Sequence, residues 1–181
     1  MTKKTMTLTK EILCRQSAEL SLGSLLPETM QASISSMMDQ GFFSHNCLDI
    51  LSNVKPTHDD VYPTFLEMLT YCDIPTFSES DAVRVLAEYY LIPIANGEVD
   101  PANGLHQLME SVIWNYGFPN DQSYSCDSHG LALLYGTYYA CDDLDPIHDA
   151  SDKRWEDRND MIVIHAKAWI KKYSPVRRSI E

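Results

Sequence analysis

His58-Asp59, with His45 upstream and Asp100 or Asp127 downstream, supplies imidazole and carboxylate donors of the kind that hold a divalent metal against a phosphate. Helix physics competes with that chemistry. His58, Asp59 and Asp60 follow Thr57, and carboxylates in a first helical turn are stabilised by the positive end of the macrodipole. Asp142-Asp143-Leu144-Asp145 has the carboxylate density of a magnesium-diphosphate site, but no second acidic motif accompanies it. At a helix C-terminus those aspartates meet the negative pole, so they ask for cations from solvent or for a partner's Lys or Arg. Cys126 and His129 with Cys141 and His148 offer four zinc donors, yet the second pair is too widely spaced for a compact knuckle. His106 and Glu110, four apart on the face opposite Leu105, Leu108 and Val112, read as an acid and base pair or as solvated surface. No glycine-flanked serine elbow and no phosphate-cradling glycine loop is present. The reading that follows is a non-enzyme, with no catalytic residue, no metal and no cofactor.

Charge is more informative than any of these motifs. Between Glu28 and Asp149 lie nineteen carboxylates and only two basic side chains, Lys55 and Arg84, against a net charge of −12 for the whole chain. A mixed surface suffices for solubility, so this one-signed field points to a basic partner. Direct nucleic-acid binding is disfavoured, because a phosphate backbone would meet the wrong sign. Aspartates next to aromatic anchors mark the expected partner surface: Asp121, Tyr124 and Asp127 in one loop, and Tyr138 and Tyr139 leading into Asp142, Asp143, Asp145 and Asp149. Trp114, Phe118 and Tyr139 are also candidates for an apolar homodimer face.

The elements that must position these residues read as helices. Apolar side chains recur at helical spacing, and no run alternates with period two. Pro27 opens a stripe of Met30, Ile34, Met37 and Met38 that Gly41 closes, and a short helix is expected around 45–53. Thr57 and Asp60 suggest a cap for Val61, Phe65, Met68, Leu69 and Cys72, with Pro63 in the first turn. Residues 78–96 are apolar nearly all round and predict a central helix that Pro93 bends or ends. Gly97 stops it, Asp100 caps the next and Pro101 starts it. A loop over 118–127, a Tyr-rich helix from Ser128 and a last helix bearing Trp155, Ile162, His165, Ala166, Trp169 and Tyr173 follow. His165 on that apolar face reads as a core histidine. The expected fold is all-α, one domain over 1–181, an irregular orthogonal bundle of seven to eight helices with flexible ends at 1–6 and 175–181.

The segment Ile94-Ala95-Asn96-Gly97-Glu98-Val99-Asp100-Pro101, followed by Gly104, Leu105 and Leu108, resembles a helix, glycine, acidic turn and proline-started helix pattern of small all-helical bacterial proteins, several of them immunity-like. That likeness, with the acidic body, implies a bacterial immunity protein or inhibitor of a cationic nuclease-type toxin, or a bacterial or phage nucleic-acid mimic. The alternative is a metal-dependent phosphohydrolase of all-α type using His45, His58 and Asp59. No apolar run has signal-peptide or membrane-spanning length, and five cysteines without disulfide-framework spacing fit a reducing compartment, so a cytoplasmic protein is expected.

Overall fold

Helical periodicity gives an all-α fold: a computed structural model describes residues 9–116, 129–140 and 154–174, with side chains from 157 on in the last stretch, and these include no strand. Contacts divide the chain into two compact units, Met1–Ala82 and Val83–Glu181.

In the first unit, α1 (Lys10–Ser21), α2 (Pro27–Met38), α3 (Cys47–Ser52) and α4 (His58–Tyr71) follow one another. Pro27 takes the first turn of α2, where its missing N–H costs nothing, and Gly41 with φ of 100° lets Phe42 N–H turn back onto the Met37 carbonyl. The stripe of α2 packs on α4, and α3 lies against both, around Met30, Ile34, Phe65 and Met68, none of which is exposed. Thr57 donates its backbone N–H and its hydroxyl to Asp60 Oδ2, at 2.9 and 2.8 Å, so α4 starts at His58. That early start puts Pro63 beyond the first turn where it was expected; it is exposed, leaving the carbonyl that loses its donor in reach of water.

Helix α1 had no counterpart in the sequence reading, and its inner face explains why. Alongside Leu13 and Ala18 it buries Gln16 and Ser17, which bond the Ser33 hydroxyl at 2.9 Å and the Pro75 carbonyl at 2.6 Å. A face that packs through polar groups leaves little apolar periodicity to read.

Helix α5 (Glu79–Asn96) contains the division between the units and buries Val83, Val85, Leu86, Ala87, Leu91 and Ile94, the all-round apolar pattern expected of it. Pro93 lies inside it, and the helix continues to Asn96 before Gly97, at φ of 73°. In the second unit, α6 (Pro101–Leu108) runs into a π turn (Met109–Ile113) and a last turn, α7 (Trp114–Tyr116). Asp100 accepts the Asn103 N–H at 2.9 Å and Pro101 takes the first position, as the spacing predicts. Helix α6 packs on α8 (Ala132–Ala140) and α9 (Arg154–Tyr173), which pack on each other. The start of α8 falls later than Ser128 because Gly130, at φ of 73°, turns the chain first. Across that turn the Trp169 indole N–H donates to the His129 carbonyl at 2.9 Å, with both residues buried.

Candidate interaction surface

Helix α6 places His106 and Glu110 on its solvent side, with the His106 Nε2 3.3 Å from Glu110 Oε1. Eight positions on, at about 100° per residue, Trp114 would stand about 80° away from His106 around an uninterrupted α-helix. The π turn accommodates one extra residue, which sets Trp114 back by about one 100° step and onto the side of His106. The Trp114 N–H reaches the Met109 carbonyl across this wider turn, and the Asn115 amide caps the Glu110 carbonyl at 2.8 Å, so residues at the turn itself hold it.

From α8, Tyr138 comes to the same place, its hydroxyl 3.0 Å from His106 Nδ1. The His106 and Tyr138 rings are nearly parallel, 17° apart, and Trp114 stands across both at 87° and 88°, with centroids 6.3 and 6.0 Å away. Tyr139 crosses Tyr138 at 82°, and Tyr135 packs on Tyr139 at 4.7 Å. Trp114 and Tyr139 keep 44% and 43% of their surface exposed, too much for rings whose purpose is the core. Two proton arrangements satisfy the imidazole: neutral with Tyr138 donating to Nδ1, or cationic with both nitrogens donating, to Tyr138 and toward Glu110.

The acid field surrounds this cluster. Every carboxylate from Glu28 to Glu110 is exposed except Asp81, partly buried, and Glu88, which is buried and accepts the Ser174 hydroxyl. Glu28, Asp39, Asp73 and Glu79 meet no Lys or Arg among the described residues. Asp60 differs: the Thr57 backbone and hydroxyl bonds, helped by the Asn53 amide, hold its carboxyl below the usual aspartate range.

Of the expected partner residues, Tyr138 and Tyr139 sit in the aromatic cluster, whereas Asp121, Tyr124, Asp127, Asp142, Asp143, Asp145 and Asp149 lie outside the described residues, as does Phe118. The expected metal donors do not assemble where they are described: His45 is exposed, His58 stacks on Tyr62 at 4.9 Å beside an exposed Asp59, and no three His, Cys, Asp or Glu side chains group closely enough among the described residues to hold an ion. Cys126, Cys141 and His148 lie outside those residues, and His129 is buried. Cys47 is buried, Cys14 and Cys72 partly so, and burial together with the neighbouring Asp73 pushes the Cys72 thiol up. His165, partly buried, shares a 2.9 Å contact with the Thr137 hydroxyl. No helix of the described residues is long and apolar enough to cross a membrane.

Sequence reasoning found Trp114, His106 and Glu110 separately but not their union with Tyr138. The spacing of four and then four is visible in the chain; the π turn that aligns its third member is not. No known protein family, curated protein or solved structure matches this chain. Gly97, Asp100 and Pro101, which carry the likeness to small bacterial helical proteins, each have a capping role of their own here.

Proposed function

We propose that this chain is a binding protein whose acidic surface neutralises a basic protein partner, in the manner of a bacterial immunity protein or inhibitor directed at a cationic nuclease-type toxin. The observation that carries this reading is the run of exposed carboxylates from Glu28 to Glu110 with two basic residues among them. Unpaired surface charge of one sign raises the rate of encounter with its opposite, and exposed aromatic rings supply the short-range contacts that hold the encounter together. Charge of the same sign would let the surface occupy a nucleic-acid groove by mimicry, which is one form of the same activity. The acidic stretch Asp142-Asp143-Leu144-Asp145 belongs to the proposed contact surface on its sequence alone.

The test is to capture partners from native lysate of the source organism at low salt, purify the basic protein recovered, and measure its affinity from about 0.05 to about 0.5 M salt. Screening shortens the reach of charge over that range from about 14 to about 4 Å, so affinity falls steeply. An affinity indifferent to salt, or recovery of neutral proteins alone, would overturn the proposal.

A further inference from the structure

The aromatic cluster of α6, α7 and α8 has a chemistry more specific than adhesion. His106 and Tyr138, tied by their 3.0 Å contact and 17° apart, make one floor, and Trp114 makes a wall at 87° to 88° to it. Glu110 stands beside the floor, 3.3 Å from His106 Nε2 and more than half exposed. A corner of this kind offers negative ring faces on one side and a carboxylate on the other, which suits a cation that is also flat. Anionic and apolar ligands meet the surrounding carboxylates at a disadvantage, and the ammonium of lysine, compact and strongly hydrated, cannot stack.

We infer that this corner is a guanidinium site: an arginine side chain of a basic partner stacks on the exposed Trp114 ring and pairs its planar fork with Glu110. The inference rests on the acidic-binder reading and deepens it by naming the group that anchors the partner. Charge complementarity selects the occupant, since the neighbouring Glu98, Asp100 and Glu110 are all exposed acids. Guanidinium geometry distinguishes it from a general attraction between opposite charges, because only the planar cation gains from the wall and the carboxylate together.

The experiment uses two end-blocked peptides, hexa-arginine and hexa-lysine, titrated calorimetrically into the full chain at low salt. Expected are tighter binding of hexa-arginine, a loss of about two- to thirty-fold for that peptide in Trp114→Ala, and little change for hexa-lysine. Glu110→Gln, an isosteric change at an exposed position that cannot disturb folding, gives a loss for hexa-arginine in the same direction. It decides the matter if Trp114→Ala melts early. Equal binding of the two peptides, or hexa-arginine binding unmoved by both substitutions, overturns the guanidinium site while leaving the acidic binder standing. No binding of either peptide overturns both.

Discussion

Two glycines of the second unit, both inside helices, should answer the same substitution with opposite signs. Gly104 of α6 is buried, and a Cβ built on it would lie 2.6 Å from Ile94 Cγ1, 2.9 Å from Ile94 Cδ1 and 3.1 Å from Val99 Cγ2. Ile94 has no exposed surface, so its side chain has nowhere to swing, and α5 and α6 would have to separate. Overpacking of this degree costs about 1–3 kcal/mol, and three close atoms argue for the upper half of that range. Alanine's better helix propensity and the stiffer unfolded chain return about 1 kcal/mol, leaving Gly104→Ala less stable by about 1–2 kcal/mol. Gly136 of α8 is exposed, with nothing within 4 Å of a Cβ, so only the favourable term remains and Gly136→Ala is more stable by about 0.5–1 kcal/mol. At about 2–4 °C per kcal/mol for a chain of this size, the melting temperature falls by about 2–8 °C in the first variant and rises by about 1–4 °C in the second. Thermal melts followed by far-ultraviolet circular dichroism read both, and the shared unfolded-state term cancels between them. If both variants move the same way, close approach at Gly104 does not hold α5 to α6 and the argument fails.

Trp169→Phe removes the indole N–H from the buried His129 carbonyl and should lower stability by about 1–3 kcal/mol, seen as a lower urea midpoint at unchanged slope. An unmoved midpoint would mean that the carbonyl has another donor. Asp60→Asn should lower the melting temperature at pH 7 and make little difference at pH 2. A carboxyl held below its ordinary value contributes stability fully above about pH 3.9 and loses it as the pH falls through the lower folded value. A gap between wild type and variant that persists at pH 2 would detach the effect from the carboxylate's charge. Cys72 should react with iodoacetamide at pH 8 more slowly than an unfolded-chain thiol, because its raised pKa leaves less thiolate, and Asp73→Asn should speed it; peptide mapping of the alkylated protein gives both rates.

What was legible in the chain was whatever stood on local chemistry. Asp100, Pro101 and Gly97 punctuate α5 and α6 where the spacing places them, since capping needs only neighbours three or four residues away. Thr57 and Asp60 behave likewise at α4. Helix α1 was not legible, because Gln16 and Ser17 bond groups 17 and 58 positions along the chain, and that pairing leaves no periodic trace. The aromatic corner was half legible for the same reason. His106 and Glu110 announce themselves as a pair, but Tyr138 is 32 positions from His106 and only packing joins them. The exposed acids were readable as charge, and their placement at the surface follows from the cost of burying them.

The π turn at Met109–Ile113 makes the corner a matter of length as well as of residue type. A helix that holds one residue more than its hydrogen-bond pattern needs can give that residue up. Deleting Ser111 should let the ladder close as ordinary α-helix, while everything beyond it rotates by about 100°. Trp114 then leaves the side that His106 and Tyr138 occupy, though no aromatic residue has been altered. In a lineage carrying this helix, a single in-frame codon loss would separate partner recognition from folding, something no substitution at the surface achieves as cleanly. The extra residue is in this sense an adjustable phase, and the angle between floor and wall records its present setting.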